Sequence, residues 1–148
     1  MIFPDINLLI YAYDSGSAQH ERCSRWLETI LNGDAPVCFS WHTIFGFMRI
    51  ATTVRMVSRP FTAREAMNIA EELMSAATSK MLEPGERHFE IFRRLVEETG
   101  ISGARLSDAH IAALAIEHGA TVVSSDRDFR AFDGLKLINP LVSSGKND

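Results

Sequence analysis

Three aspartates far apart along the chain, Asp5, Asp108 and Asp126, have settings that could place them in one site: Ile-Phe-Pro-Asp5-Ile-Asn7, Leu-Ser-Asp108-Ala-His and Val-Val-Ser-Ser-Asp126-Arg-Asp128-Phe. Each falls where an apolar run ends or a helical period begins, which is where α/β sheets build their sites. Carboxylates brought within ~4 Å of one another repel by about 4 kcal/mol per pair at an effective dielectric near 20. A fold stable by only about 5 to 15 kcal/mol tolerates such a trio when a cation sits among them. Alone, Asp108 could be a first-turn residue favoured by the helix dipole, and Asp126 a turn former. Asp5 breaks an apolar terminus and Asp126 follows the most apolar strand, where unpaired charge is costly, so the set points to a metal.

Oxygen-only ligands select a hard cation, Mg²⁺ or Mn²⁺, over zinc. Such an ion polarises a phosphoryl oxygen and generates hydroxide, which is the chemistry of phosphodiester hydrolysis. Asp128 could bind a second ion or cap the turn that buries Phe129. Asn7 is placed to orient Asp5 or complete the turn out of its strand, and Ser124 to offer a hydroxyl to metal, phosphate or backbone. Arg49, Arg55, Arg59 and Arg64 lie in a stretch without an acidic residue, and Arg49, set in an apolar helix, is the one best placed to grip a phosphate. His20, His42, His88, His110 and His118 are scattered, and none is expected to be a ligand.

The elements that must position these groups follow from periodicity and punctuation. An apolar strand ends at Asp5 and a helix runs from Asn7 to Tyr13. A second helix spans 17–32, stopped by Gly33, and Val37–Phe39 forms a strand after Pro36. Ser40 caps an apolar helix from Trp41 to about Val54. Thr62 and Glu65 form a capping box for a helix to about Ala77. A short strand at Met81–Leu82 precedes a helix over 86–99, closed by Gly100. Ser107 caps a helix from Asp108 to His118, Thr121–Ser124 is a buried strand, 126–132 a helical turn, and Leu135–Ile138 a last strand. Short strands alternating with helices imply a parallel sheet covered on both faces.

At 148 residues and 46% hydrophobic, the chain suits one domain over 1–142, with 143–148 expected to fray. No leader or membrane span is read. Cys23 and Cys38 show no paired spacing, so a reducing cytoplasm fits. A net charge of −4 gives no overall basic footprint for nucleic acid. The apolar helix over 41–54 and the apolar face of 6–13 predict self-association.

The sequence resembles a known family at PDxN after the first strand, at SDAHIAALAIEHGA and at VVSSDRDFRAFDGLKLINP. These are similar to PIN-domain ribonucleases, specifically VapC-like toxins of type II toxin–antitoxin modules, over essentially the whole chain. The resemblance implies a three-layer α/β/α sandwich with a mainly parallel central sheet and a Mg²⁺- or Mn²⁺-dependent endoribonuclease, usually a homodimer. It further implies inhibition by a small cognate antitoxin whose arm covers the groove. It carries Asp5, Asp108 and Asp126 over as metal-site residues, with Asp128 at a position acidic in many relatives. Two departures stand out: Gly46 occupies the place of a common Glu, and Ile6 that of a frequent hydroxyl residue. They leave an alternative open, a degenerate member that binds antitoxin or RNA without cleaving. A receiver-like domain with Asp-bound Mg²⁺ is a third, less well matched reading.

Overall fold

A computed structural model of the chain describes residues 1–142; the expected frayed tail, 143–148, lies outside the described residues. Five short strands form one sheet: β1 (Ile2–Pro4), β2 (Val37–Phe39), β3 (Ser79–Met81), β4 (Thr121–Val123) and β5 (Lys136–Ile138). Six α-helices connect them: α1 (Ile6–Tyr13), α2 (His20–Leu31), α3 (Trp41–Ala51), α4 (Ala63–Ser75), α5 (His88–Thr99) and α6 (Arg105–His118). The strand order is β3-β2-β1-β4-β5 and every pairing is parallel. The expected mainly parallel sheet is therefore parallel throughout.

Strand residues alternate between two cores, as a pleated strand requires. Phe3, Cys38 and Val122 point to the face covered by α5 and α6. Val37, Phe39 and Val123 point to the face covered by α1 to α4. The outer strands β3 and β5 are three residues each and carry exposed lysines, Lys80 and Lys136.

The strand order reverses direction between β1 and β4, and such a switch point opens a crevice at the carboxyl ends of the strands. Pro4 widens it. Proline has no amide hydrogen to give a ladder, and β1 registers with β2 only at Ile2–Val37, whereas it pairs with β4 from Ile2 to Pro4.

Local chemistry sets most helix ends. Ser40 and Thr62 each accept from the amide three residues on and complete capping boxes, Ser40 with Thr43 and Thr62 with Glu65. Gly100 and Gly119 end α5 and α6 in the left-handed conformation.

Three expectations need correction. Helix α3 stops at Ala51 rather than Val54, because Thr52 and Thr53 hydroxyls bond back to the Met48 and Arg49 carbonyls and Phe61 N–H takes the Ala51 carbonyl at 2.9 Å. Helix α6 starts at Arg105, before Asp108, because the chain turns at Gly103 with φ 61° and Leu106 N–H reaches its carbonyl; Ser107 is a helical residue and not the cap. The apolar face of α1 is no free surface, since Leu8, Leu9, Ile10 and Ala12 lie inside this chain's own core. Among the described residues no helix is long and apolar enough to cross a membrane.

Candidate active site

Asp5 is the residue on which the crevice is built. It caps α1, its Oδ1 accepting from Ile6 N–H at 2.8 Å, and its backbone amide donates to Val123 of β4 at 2.9 Å. Oδ2 accepts from the Ser124 hydroxyl at 2.8 Å, across 119 residues of chain. Ser124 in turn accepts from the Asp126 amide at 3.0 Å, so one buried hydroxyl sets the positions of both strand-end acids. Asp126 caps the 3-10 turn Arg127–Ala131, accepting from the Asp128 amide at 2.9 Å. Of the two roles open to Asp128, capping thus falls to its neighbour.

Asp108 enters from the first turn of α6, half-buried, and Arg105 holds it at 3.1 Å. The same guanidinium reaches the Asp128 carboxylate at 3.7 Å and its carbonyl at 3.0 Å. Two of the four carboxylates, Asp108 and Asp128, therefore share one bridging arginine.

The electrostatics record the crowding. Only 6% of Asp5 is exposed, and burial pushes its carboxyl up to about 6, with Asp108 and Asp126 adding to the rise against the hydrogen bonds from Ser124 and Ile6. Asp108 is raised too, first by burial and then by Asp126, with Arg105 opposing. Asp108 and Asp126 thus both act on Asp5, and Asp126 on Asp108, which places the three predicted residues within reach of one another's charge.

Among the described residues no three His, Cys, Asp or Glu side chains close into a ready coordination shell. Each carboxylate is instead turned to a protein donor, Asp5 to Ile6 and Ser124, Asp108 to Arg105 and Asp126 to the Asp128 amide. The donor set is nonetheless all carboxylate and hydroxyl oxygen with surplus negative charge, which fits a hard divalent cation and no soft one.

The Ser124 hydroxyl, read as an offer to metal, phosphate or backbone, donates to the Asp5 carboxylate and accepts from the Asp126 amide. Asn7 is exposed on α1 and makes no side-chain hydrogen bond among the described residues; Asp5 is oriented by Ile6 and Ser124 instead. Arg49 is exposed on α3, near enough to His42 to influence it, while the Asp108 charge acts on the same imidazole in the opposite sense. The sequence reading passed over Arg105, although an arginine three residues before a helical aspartate is a pair signal. It also passed over His42 and His110. These imidazoles lie edge to face at 5.3 Å between centroids beside Asp108, and nothing in their spacing along the chain announces it.

The two departures from the family pattern prove to be one feature. A Cβ placed on Gly46 would stand 2.5 Å from Ile6 Cδ1, so the isoleucine fills the space that a side chain on α3 would need.

Comparison with known proteins agrees with the geometry. The PIN-domain family model matches residues 2–135. Ribonuclease VapC33 of Mycobacterium tuberculosis is 37% identical over 141 residues, covering 95% of this chain and 99% of that protein. Ribonuclease VapC37 of the same species is 35% identical over 136 residues, covering 92% and 94%. Among solved structures, VapBC2 from Rickettsia felis, bound to a promoter DNA fragment, aligns over 94% of this chain and 98% of its own with a TM-score of 0.67 and 18% identity. M. tuberculosis VapC20, a sarcin-ricin loop cleaving toxin, aligns with a TM-score of 0.65 and 18% identity over 92% and 99%. These two share the fold. The family match removes the receiver-like reading.

Two outcomes are expected. Folded Asp5 releases its proton near pH 6 and the unfolded chain near 3.8, so stability falls as pH rises through that window and the full cost stands above it. At about 1.4 kcal/mol per pH unit the ceiling is ~3 kcal/mol. Without divalent cations, Asp5→Asn should exceed the native chain in urea stability by about 1 to 3 kcal/mol at pH 7.5 and match it at pH 4; equal stability at pH 7.5 would refute the cost. Gly46→Ala, which gains about 1 kcal/mol of helix propensity in the open, should instead destabilise here through overpacking of about 1 to 3 kcal/mol. Trimming the clash with Ile6→Val should restore the gain, and a Gly46→Ala protein stabilised in the native background would rule out the contact.

Proposed function

The chain belongs to the PIN-domain family and, within it, to the VapC ribonuclease toxins, and on that premise we propose that its acidic crevice hydrolyses RNA phosphodiester bonds as the toxin of a type II toxin–antitoxin pair. The observation that carries this reading is the buried Asp5, tied to Ser124 across the sheet switch point and raised by Asp108 and Asp126. Asp5, Asp108 and Asp126 would hold Mg²⁺ or Mn²⁺, with Asp128 at the rim for a second ion. When bound, that ion supplies charge neutralisation at the phosphate and a lowered proton affinity for water.

The chain's own groups supply the rest. Ser124 and the Ile6 amide fix the Asp5 carboxylate, and its burial keeps bulk water from one side of the site. Arg105 restrains Asp108 and Asp128 and lowers the repulsion between them. Beside Asp126, Ser125, Arg127, Arg130 and Asn139 line a small cavity of about 80 Å³, a polar and cationic flank suited to backbone phosphates. Arg49, exposed on α3, would extend that grip.

One observation favours a second reading, a chain that keeps its groove without cleaving: Ile6 fills the place where relatives commonly offer a carboxylate. A silent calorimetric titration with Mn²⁺ on folded protein would support it. A cognate antitoxin presenting a basic side chain would answer the same surplus charge as the metal. RNA as substrate and the buried free cysteines Cys23 and Cys38 both suit the cytoplasm.

The exposed apolar surface of α3 and α4, with Trp41 60%, Phe45 62% and Met67 56% accessible, supports a homodimer formed through these helices. Sedimentation should show a dimer at micromolar concentration that Phe45→Glu dissociates; a native monomer at every concentration would exclude it. Asp5→Asn and Asp108→Asn should abolish Mn²⁺-dependent RNA cleavage with folding intact, a loss beyond the roughly 10- to 100-fold expected of residues that only orient a ligand. Sequencing of RNA 5′ ends after brief induction, with Asp5→Asn as control, reads the result. A fully active Asp5→Asn protein would end the assignment.

A further inference from the structure

The acidic crevice has two unlike flanks. Next to Asp126 lies the hydroxyl- and arginine-lined cavity described above. On the Asp108 side lies a wider cleft of about 470 Å³ between α3, α5 and α6, with His42 on the first, Phe89 and Phe92 on the second, and Leu106 and His110 on the third. No arginine, lysine or carboxylate lines it, in contrast to the arginine-lined flank beside Asp126.

Its walls are rings. His88 and Phe92 stack with 18° between their planes, Phe89 and Phe92 lie 6.5 Å apart at 30°, and His110 meets both His42 and His88 edge to face. Phe89 is 69% exposed, a phenyl held in solvent at the mouth of the cleft. The rings also carry polar atoms. His88 Nε2 and His110 Nδ1 share a hydrogen bond of 3.0 Å, and among the described residues His88 Nδ1 is buried without a partner.

The cleft adjoins the acids along α6. Ser107, in its wall, directly precedes Asp108, His110 follows two residues later, and the Asp108 charge is felt at His42.

We propose that this aromatic cleft beside Asp108 seats one unpaired nucleobase of the RNA strand, next to the phosphodiester that is cut. The inference rests on the ribonuclease reading and adds a base-binding subsite to it, one that takes an unpaired base, since a base inside a duplex has no free face to stack. An apolar peptide would use the phenyl rings but leave the imidazole edges unanswered, whereas a base has both a π-face and a hydrogen-bonding rim. With phosphates drawn to the Arg127 and Arg130 flank and a base to this one, the strand is oriented across the acids.

The test is cleavage by the full chain with Mn²⁺. A randomised single-stranded RNA pool first yields a preferred sequence. That oligoribonucleotide is then assayed intact and with each nucleotide flanking the cut made abasic. One abasic position should lower kcat/KM by about 10-fold, the size of a lost base–aromatic stack. Phe89→Ala, whose truncation leaves the core untouched, should lose a similar factor on intact RNA and nothing further on that abasic strand. Native rates from Phe89→Ala would overturn the proposal and leave the cleft to a protein segment; losses that multiply on every abasic strand would overturn it as well. A folded native chain that cuts nothing in the pool, like its Asp5→Asn control, would instead defeat the ribonuclease reading beneath it.

Discussion

A carboxylate is held almost out of solvent at the switch point of the sheet, and the rest of the crevice is arranged around that burden. Asp5 is reached by one hydroxyl from β4, and the same hydroxyl places the Asp126 amide. Because β1 and β4 pair in parallel from Ile2 to Pro4, both chain segments leave the sheet at the same level. The acids therefore meet through backbone register, without long side chains having to reach. Helix α6 then brings Asp108 in its first turn, where the positive end of the dipole offsets part of its charge.

Much of this could be read from residues whose signals are local. The capping boxes at Ser40 and Thr62, the glycine stops at Gly100 and Gly119, and the apolar strand ahead of Ser124 each depend on a few neighbouring positions and stand where expected. What escaped depends on contacts distant in sequence or on competition between bonding patterns. Helix α3 ends early because two threonines compete for its carbonyls, and α6 begins early because a glycine outside it supplies the turn. The α1 face looked free because periodicity says which side is apolar and nothing about what covers it. The histidine cluster is legible only once α3, α5 and α6 are brought together.

Ile6 and Gly46 show how a pattern can change at two positions through one packing decision. Their contact joins the first turn of α1, just after the key acid, to the middle of α3. The substitution makes the crevice wall more apolar on that side, so the remaining charge is concentrated on the acids from β1, β4 and α6. Arg105 then balances part of it from the rim, sharing its guanidinium between Asp108 and Asp128.

The lysines on the two border strands have a consequence for how this molecule keeps company. Lys80 and Lys136 each project from a ladder of three residues, too brief and too charged to template another strand. Growth by backbone pairing is thereby discouraged at either margin. Oligomers and inhibitors alike must come at the protein through side chains on its helices, where the identity of each contact can be selected residue by residue. A polypeptide built this way can carry several apolar patches and still be protected from fibrillar stacking.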